Sequence, residues 1–368
     1  QVIADGSPLW DTFRKSYELG YHSRGLSPEL GGVPLSPVGR HIFAEEMGWG
    51  SADFAIALGV TSFPFSFAAM GGNADIVEEV VKPFAEDREG KYVGCWAITE
   101  PDHGSDAVFV GNEDLKGPET TFDMQAVADG DEWVISGQKS AWVSNGTIAT
   151  HALAFLSVDE SQGMAGGGVA LIPLDLPGVT KGKPLEKLGQ RALNQGEIFL
   201  DQVRIPKQYM LVEPSAYPFL IDTVLSGANA GMGATFTGLA RAAFEETLNY
   251  ARERIQGGKP ICEHQAIQLK LMDMFIKVET ARAISRNAMD YNSKIMPPKL
   301  QYSVASKVYC TEAAYEVAHA GVQVFGGIGL TKETLIEKLF RDARASLIED
   351  GTNEVLSLAG ARKIIDTY

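Results

Sequence analysis

Two stretches of the chain combine small and polar residues in a way that suits an anionic ligand. The first, from Cys95 to Asp106, reads as a strand followed by a Pro-Asp turn and then Gly-Ser-Asp. Small residues in such a turn let backbone amides approach a ligand, and turns of this kind can cradle anionic groups. An ordinary surface turn has the same pattern, so the residues alone leave both interpretations open.

The second stretch lies near residue 255, where Arg252, Arg254 and Lys259 flank the pair Gly257-Gly258. Arginine pairs with the oxygens of a pyrophosphate through forked hydrogen bonds, so this stretch suits a diphosphate. A solvated helix end is the alternative. His264 follows beside a glutamate, and a histidine there is more often a structural helix-end residue than a base.

Adjacent carboxylates at Glu349 and Asp350 precede the pair Gly351-Thr352. A carboxylate in an apolar cleft has its pKa raised towards working pH, which makes it a better base. Adjacent side chains point apart in an extended or turn segment, so one of the two is expected to face a site.

Composition excludes several classes of partner. The net charge is −15 over 368 residues, with no lysine-rich tract, so nucleic acid and anionic membrane are poor partners. We find no apolar stretch near the roughly 18–20 residues needed to cross a bilayer, and no signal peptide. Cys95, Cys262 and Cys310 are too few and too widely spaced for a disulfide framework or a zinc cluster. We expect no metal and a reducing compartment.

The order of elements predicts a helical region, a β region and a second helical region, with domains at 1–94, 95–212 and 213–368. Pro37 is expected to open a helix, and 52–72 reads as a helix buried on most sides. Short alternating runs between turn residues predict strands at Trp133–Gly137, Gly168–Pro173 and Glu197–Val203.

Helical periodicity returns after Pro214. Apolar residues keep steps of three and four from Phe236 to Ile255, from Ile267 to Ala281 and from Val304 to Phe325, which is typical of an antiparallel helix bundle. A final helix is expected to start near Thr352, which could cap it.

Together these segments resemble the acyl-CoA dehydrogenases, flavoenzymes that remove a proton and a hydride from neighbouring carbons of a CoA thioester. Thr-Glu-Pro-x-x-Gly-Ser-Asp at 99–106 is the family's best-known fingerprint, and the runs 142–146, 189–206 and 323–355 add to it. The resemblance covers roughly 8–368 and implies an α+β fold with an N-terminal helical domain, a central antiparallel β-barrel and a C-terminal four-helix bundle. Family members usually begin with a further helix, which we expect to be trimmed or disordered here.

By this resemblance the cofactor is FAD. Trp96, Ile98 and Thr99 are implied to line the flavin ring, with Trp142 against it and Ser144 near its N5. Trp96 stands where Tyr or Phe is more usual and keeps an aromatic wall. One extra residue between Lys139 and Trp142, compared with the common pattern, suggests a bulge.

The resemblance implies further contacts with the cofactor and with the substrate. Ser105 is implied to meet the FAD phosphate or the pantetheine arm of the substrate, and Gly351 and Arg362 are implied to bind substrate. Gly257 stands where an aromatic residue is usual, so one contact to the adenine end is expected to be missing. The remaining cofactor residues, some of them implied to serve a neighbouring subunit, are Gly104, Arg254, Gln256, Gln265, Gln323, Gly326, Gly327, Thr352 and Glu354.

In most members a glutamate immediately before Gly-Thr is the base. Asp350 holds that place here, one methylene shorter, and we favour it over Glu349. Other members supply a glutamate from the helix after the barrel, but the matching stretch 227–230 has no carboxylate, and Asp222 lies more than a turn away. The shorter arm retracts the carboxylate by roughly 1 Å, a misplacement that can cost ~100-fold in rate. Either the backbone moves inward or the substrate differs from a simple fatty acyl chain, as a bulky cyclic, branched or dicarboxylic acyl group would, or the ordinary oxidation is lost.

The expected function is therefore FAD-dependent oxidation of an acyl-CoA to the 2,3-enoyl-CoA, with flavin N5 as hydride acceptor. The resemblance also implies an electron-transfer flavoprotein as acceptor, a homotetramer, and a cytoplasmic or mitochondrial-matrix location. One alternative is altered chemistry on the same scaffold: 1,4-dehydrogenation of a cyclic enoyl-CoA, desulfination, or oxidation of a nitroalkane. A non-enzymatic flavoprotein that binds nucleic acid is a third class, which the charge of −15 disfavours.

Overall fold

The computed structural model describes residues 2–110, 112, 115 and 117–367. The amino-terminal part is helical, as predicted, and its second helix begins at Pro37 as expected. The helices are α1 (Pro8–Glu18), α2 (Pro37–Thr61), α3 (Phe63–Gly71), α4 (Ala74–Ile76) and α5 (Lys82–Glu86), with a π-helical turn at Val77–Val81 between the last two. Backbone angles at Ser51 break α2 into two helical segments.

The middle of the chain forms strands with short connections. They are β1 (Gly94–Ala97), β2 (Gln125–Asp129), β3 (Glu132–Lys139), β4 (His151–Ser157), β5 (Gly167–Pro173), β6 (Val179–Lys181), β7 (Ile198–Pro206) and β8 (Met210–Val212). The sheet order is β6-β7-β3-β2-β4-β5-β8, and β1 pairs with β4. The three strands predicted from alternating runs match β3, β5 and β7, although β7 begins at Ile198, one residue after the predicted start.

The β region is mainly antiparallel, as predicted, but two pairings of this sheet are parallel. β1 runs parallel to β4 over four residue pairs, and β2 makes one parallel pair with β4. The reason is that the chain enters β4 after the turn at 140–150 rather than through a tight hairpin, so β4 can run in the direction of β1. Alternate β1 residues Cys95 and Ala97 pack into the apolar core of the sheet.

The predicted bulge also lies elsewhere. The register of β3 and β7 shifts between Ile135 and Gly137, where Gln202 on β7 has a φ of 53°. The Gln202 backbone N–H and side-chain amide both donate to Ser136 Oγ, at 3.1 and 2.8 Å. Residues between Lys139 and Trp142 instead form a turn, in which the Val143 N–H donates to the Ser140 carbonyl.

The carboxyl-terminal part is helical, as predicted. It contains α6 (Tyr217–Glu253), α7 (Gln265–Asn292), α8 (Leu300–Phe325), α9 (Ile336–Ser346) and α10 (Asn353–Thr367). Ile255 was expected to continue the stripe of α6, but it lies in a short hairpin of β9 (Ile255–Gln256) and β10 (Lys259–Pro260). Gly257 and Gly258 form its two-residue turn with φ of 64° and 80°, as a type I′ turn requires.

The chain divides into two compact units. One contains residues 1–34, 56–186 and 191–221, and the other contains 35–55, 187–190 and 222–368. The first unit holds the sheet, and the second holds the long helices together with the first part of α2. The three-domain division at 94 and 212 stays a prediction.

One helical stretch passes the length and composition test for a membrane span, contrary to our sequence expectation. It is Pro37–Gly71, of which 39% of the most apolar window is buried. A core helix of a globular protein passes the same test, and this stretch is interrupted at Ser51. It is therefore weak support for a membrane location.

Close packing of α6 against the first part of α2 allows a test of the second unit. A Cβ added to Gly238 would lie 2.0 Å from the Glu45 carbonyl oxygen, whereas one added to Gly231, two turns earlier on α6, would meet nothing within 4 Å. We expect Gly238→Ala to lower the free energy of unfolding by about 1–3 kcal/mol because the backbones must separate. Gly231→Ala should be neutral or raise it by up to about 1 kcal/mol. Urea unfolding followed by circular dichroism measures both, and equal effects would contradict the packing.

Candidate functional site

The turn between α9 and α10 carries Asp350 in an unusual backbone conformation. Asp350 has a φ of 56° and Gly351 a φ of 92°, so two successive residues lie on the left-handed side. Glycine accepts such angles freely, and aspartate tolerates them better than most side chains. The next residue, Thr352, accepts the Val355 N–H at 3.3 Å and caps α10, as predicted.

A buried lysine holds this turn in place. Lys307 lies on α8 with no exposed surface, and its Nζ donates to the Gly351 carbonyl at 2.9 Å and to Asn353 Oδ1 at 2.8 Å. Asn353 in turn donates to Thr311 Oγ1 at 3.1 Å. Burial lowers the pKa of the Lys307 ammonium, and the charge of Asp350 opposes that shift.

Asp350 combines an exposed side chain with close protein neighbours. The residue is exposed by surface area, yet burial raises its pKa, with the Lys307 charge acting in the opposite direction. We infer from these two properties that its carboxylate lines a recess. Among the described residues none donates a hydrogen bond to this carboxylate, so it is free to meet a ligand.

Glu349, by contrast, is tethered. The Gln190 side-chain amide donates to Glu349 Oε1, and the Gln190 backbone N–H donates to Asp342 Oδ1. Burial, reinforced by the Asp350 charge, raises the pKa of Glu349 to about 8. Gln190 is itself buried, with a φ of 48°. Our sequence analysis gave its segment no catalytic role, and nothing local signals that Gln190 meets residues more than 150 positions away.

A buried ionic cluster supports Gln190 from behind. Asp342 on α9 and Asp53 on α2 both contact Lys338 Nζ, the second at 3.3 Å. Asp53 also accepts the Phe54 N–H at 3.0 Å and the Ser51 hydroxyl at 2.5 Å. Burial lowers the pKa of the nearby Lys187 ammonium to about 8, against the charges of Glu349, Asp53 and Asp342.

Asp222, the other carboxylate considered as a base from the sequence, forms an ion pair. Its Oδ2 accepts a hydrogen bond from Lys363 Nζ at 2.5 Å. Arg362, predicted to bind substrate, is the preceding residue on α10 and is half-buried.

In the first unit, the turn after β3 presents an aromatic ring. Trp142 is 55% exposed, a large fraction for tryptophan. The Gln195 side-chain amide donates to the Trp142 carbonyl and to Ser144 Oγ, both at 3.3 Å. Asn145 anchors the turn: it is fully buried, has a φ of 65°, and donates through Nδ2 to the Ala57 carbonyl at 2.8 Å.

The segment after β1 approaches this turn. Ser144 forms an isolated bridge with Trp96, and the Ser140 N–H donates to the Thr99 carbonyl at 2.8 Å. The Thr99 hydroxyl makes no hydrogen bond within the described chain, which leaves it available to a ligand. Ile98, however, is almost wholly buried, and Trp96 packs between Phe63 and Phe155 at centroid distances of 5.2 and 4.5 Å.

A second buried lysine fixes the same segment. Lys139, at the end of β3, donates to the Ile98 carbonyl at 3.1 Å and forms an ion pair with the buried Glu100. Burial lowers its pKa to about 8, against the charge of Glu100. Glu100 also accepts the backbone N–H groups of Asp123 and Met124, at 2.6 and 3.1 Å. Its neighbours His103 and Asp123 make this a possible metal-ligand set by distance, but Lys139 already supplies the positive charge.

The Gly-Ser-Asp turn is closed on itself. Asp106 accepts the Gly104 N–H at 2.6 Å and contacts His103 Nδ1 at 2.7 Å. The Gly104 N–H is therefore already engaged and is not available to a ligand. The space beside Gly104 is open, since an added Cβ would meet nothing within 4 Å, so a ligand could still approach the backbone closely there. Ser105 begins a short 3₁₀ helix and is half-buried.

The residues predicted to hold a diphosphate share one end of the helical unit. Tyr250 near the end of α6 stacks on Phe325 at the end of α8, at 4.0 Å, and donates to its carbonyl. This contact brings the β9–β10 hairpin and the carboxyl end of α8 to the same region. His264 contacts the Gln256 carbonyl at 2.9 Å and has a structural role in the hairpin. Six predicted residues there are exposed: Arg254, Gln256, Gln265, Gln323, Gly326 and Gly327.

These features fit a flavin dinucleotide. An exposed indole beside the free hydroxyl of Thr99 offers a flat apolar face and a polar edge, as an isoalloxazine ring requires. Exposed Arg254 and the glycine pair at 326–327, where an added Cβ would meet nothing within 4 Å, suit phosphate oxygens and close backbone approach.

Comparison with known proteins identifies the family. Profiles of the acyl-CoA dehydrogenase middle domain and C-terminal domain match residues 95–203 and 220–365. The mitochondrial short-chain specific acyl-CoA dehydrogenase of Bos taurus is 33% identical over 96% of this chain and 82% of its own length. The chain belongs to the acyl-CoA dehydrogenase family.

Two further relatives agree. Cyclohexane-1-carbonyl-CoA dehydrogenase of Geobacter metallireducens is 33% identical over 98% of this chain and 88% of its own length. The structure of butyryl-CoA dehydrogenase from Megasphaera elsdenii superposes with a TM-score of 0.86 at 26% identity, over 96% of this chain and 90% of that one. The predicted α+β fold class is thereby confirmed, and this acyl-CoA dehydrogenase is an FAD-dependent oxidoreductase that acts on acyl-CoA thioesters.

Lys139 offers a test of how the dehydrogenase holds the segment at 98–100. We expect Lys139→Met to lower the free energy of unfolding by about 3–5 kcal/mol, because it leaves Glu100 buried without its ammonium partner. The double variant E100Q/K139M carries neither charge, and its amide oxygen can still accept a backbone N–H, so it should recover much of the loss. Urea unfolding measures both.

Lys15→Met is the matched control, since Lys15 pairs with Glu18 on the exposed surface and such pairs contribute about 0–1 kcal/mol. A Lys139→Met protein as stable as this control would show that the buried pair does not hold the segment.

Proposed function

We propose that this acyl-CoA dehydrogenase converts a saturated acyl-CoA into the 2,3-enoyl-CoA with Asp350 as the base. Bound FAD would supply the acceptor for the β-hydride at its N5. The observation that carries the proposal is the Asp350 carboxylate, which lines a recess beside Lys307 and accepts no hydrogen bond within the described residues.

Three features suit Asp350 to proton removal. Its raised pKa brings it nearer to that of the acid it must deprotonate, which strengthens it as a base. The Lys307 ammonium keeps the ionised form accessible despite the burial. The turn fixes the backbone at Gly351 through the Lys307 hydrogen bond, so the carboxylate projects from a defined position. We favour Asp350 over Glu349 for this role because Gln190 donates a hydrogen bond to the Glu349 carboxyl group.

The acyl group we propose is short and branched or cyclic at its α-carbon. An aspartyl arm is one methylene shorter than a glutamyl arm, so it leaves more room beside the α-carbon and needs that carbon to approach the turn. The relative from Geobacter metallireducens is named for a cyclohexane-1-carbonyl substrate, whose ring begins at the α-carbon. This relative supports the cyclic option among those left open by the sequence.

For the cofactor contacts we propose the residues expected from sequence. The ring would meet Trp142, Ser144 and Thr99, while Trp96 and Ile98 would act mainly by packing behind them, since both are largely covered. The exposed residues around Arg254 would hold the diphosphate of a neighbouring subunit, within the homotetramer that the family uses. The family's usual acceptor, an electron-transfer flavoprotein, and a cytoplasmic or mitochondrial-matrix location complete the proposal.

A substrate panel tests the reaction directly. The flavin-loaded protein is mixed anaerobically with cyclohexane-1-carbonyl-CoA or with a branched short-chain acyl-CoA. We expect either substrate to reduce the flavin and so to bleach the absorbance of the oxidised cofactor at about 450 nm. Long straight-chain acyl-CoAs should bleach it more slowly. Glutaryl-CoA distinguishes the dicarboxylic option. Bleaching by none of these, with oxygen uptake on a nitroalkane instead, would overturn the proposal.

Removing the proposed base gives a second test. Asp350→Asn should slow flavin reduction by about 10²–10⁴-fold, the usual contribution of a positioned general base, while the FAD content stays at that of the parent protein. Asp222→Asn is the matched control, because Asp222 is paired with Lys363, and its rate should stay within a few-fold. Stopped-flow absorbance measures each rate, and an active Asp350→Asn enzyme would rule Asp350 out as the base.

A further inference from the structure

Glu349 and its partner Gln190 form an arrangement that neither the sequence nor the family comparison explains. Two adjacent carboxyl groups stand in one turn, and they have different surroundings. Asp350 lines the recess without a hydrogen-bond donor from the described residues, whereas Glu349 is engaged by the uncharged amide of Gln190. An ionised pair of adjacent carboxylates would repel each other, particularly where protein excludes water.

Charge balance in this part of the helical unit indicates that one proton is retained. The charged groups that act on Glu349 are Asp350 in the turn, Lys307 on α8 and Lys187 before Gln190. The groups around these partners are Asp53 on α2, Glu312 on α8, Lys338, Arg341 and Asp342 on α9 and Glu354 on α10. Glu312 and Glu354 are exposed, so solvent screens them, and Arg341 is paired with Glu337. The inner carboxyl groups that remain are Asp53, Asp342, Glu349 and Asp350, and the inner ammonium groups are Lys187, Lys307 and Lys338. Four acids against three ammonium groups leave one carboxyl group without a counter-charge.

Hydrogen bonding and exposure to solvent together assign the proton to one of the four. Asp53 accepts from the Ser51 hydroxyl, the Phe54 N–H and Lys338, and Asp342 accepts from Lys338 and the Gln190 backbone N–H. Several donors, one of them charged, favour the ionised form of both, although burial and the Asp53 charge raise the pKa of Asp342. Asp350 accepts no hydrogen bond from the described residues, but it is exposed to solvent and the Lys307 charge acts on it. The charges of Lys307 and Lys187 act on Glu349 as well, but this side chain is half-buried and its one donor within the described chain is the neutral amide of Gln190.

We propose that Glu349 stays protonated beside Asp350, in a position fixed by Gln190, so that the catalytic turn carries a single negative charge at neutral pH. Glu349 is thus a positioning residue that sets the electrostatics of the base. The inference rests on the proposed function, in which Asp350 removes the α-proton. Burial and the Asp350 charge, which raise the pKa of Glu349 to about 8, agree with it.

The consequence for catalysis follows from the charge that develops on the thioester. Removal of the α-proton leaves negative charge on the substrate, and a second anion in the same turn would oppose it. Ionisation of Glu349 should therefore lower kcat/KM as the pH rises through about 8. The lower limb of the profile belongs to Asp350, which must be ionised to accept the proton.

Three variants test the assignment through the pH profile of kcat/KM, using the best acyl-CoA of the panel. Glu349→Gln keeps the shape of the side chain but cannot ionise, so the upper limb near pH 8 should disappear. Gln190→Leu removes the amide donor that favours the ionised form, so the limb should move to higher pH. Glu312→Gln, which removes an exposed charge that also acts on Lys307, should leave the limb in place. An upper limb unchanged in Glu349→Gln would overturn the inference.

A spectroscopic measurement separates this inference from the proposed function. Infrared difference spectra of the protein, without substrate, should show a protonated-carboxyl band at pH 7 that is lost in Glu349→Gln and that fades in the parent protein as the pH rises through about 8. In Asp350→Asn the band should fade at a lower pH than in the parent protein, because the variant lacks the charge that helps to raise the pKa of Glu349. A missing band refutes the protonated Glu349, whereas an active Asp350→Asn enzyme that retains the band refutes only the identity of the base.

Stability provides a readout that does not depend on activity. Because the folded pKa of Glu349 lies above its ordinary value of 4.5, the folded state binds more protons than the unfolded state between those pH values, so Glu349 makes stability fall as the pH rises from about 4.5 to about 8. Glu349→Gln removes this dependence. The melting temperature of the variant, relative to the parent, should therefore be higher at pH 8.5 than at pH 5, and a constant difference would count against the inference.

Discussion

Lys307 holds the turn that carries Asp350 by two hydrogen bonds, one to the Gly351 carbonyl and one to Asn353 Oδ1. A buried ammonium is expensive unless its donors are satisfied, so the position of Lys307 on α8 in effect dictates where the turn must lie. The left-handed angles of Asp350 and Gly351 then follow, because the chain has to reverse within two residues to begin α10. The acidic site is thus set by the interior of the helical unit.

The first unit uses the same physical device at a different place. Lys139 is also fully buried, and it fixes the segment around Ile98 by a hydrogen bond to its carbonyl and an ion pair with Glu100. In both units a lysine interior to the protein determines the path of a segment whose other side is available to a ligand. Neither lysine needs to touch substrate or cofactor in order to matter for the reaction.

Much of the fold could be predicted from the sequence because it depends on local pattern. Apolar residues at steps of three and four predicted α7 and α8, and alternating apolar and polar residues predicted β3, β5 and β7. Both periods can be read from the chain itself. The parallel pairing of β1 with β4 could not be predicted this way, because register between distant strands depends on the path between them. The prediction that Ile255 continues α6 was wrong for a related reason, because the two glycines that follow allow the chain to turn into a hairpin.

The candidate site, too, could be predicted from the sequence only in part. Asp350 could be proposed from its place before Gly-Thr, but Glu349 could be weighed only by the rule that adjacent side chains diverge. What distinguishes the two is Gln190, which lies 159 positions from Glu349 and reaches it only through the fold. Lys307 is likewise a single lysine beside the apolar stripe of α8, and the sequence gives no sign that its Nζ donates to the Gly351 carbonyl.

The choice of aspartate at position 350 has a backbone reason as well as a catalytic one. Aspartate occurs in the left-handed region several-fold more often than most side chains do. A residue with a φ of 56° before a glycine at 92° is therefore easier to build with aspartate than with glutamate. If Asp350 is the base, as proposed, its length and the sharpness of the turn have one origin, and the substrate has to adapt to both. An acyl group whose bulk begins at the α-carbon meets that requirement, since the substituted carbon is the one drawn towards the turn.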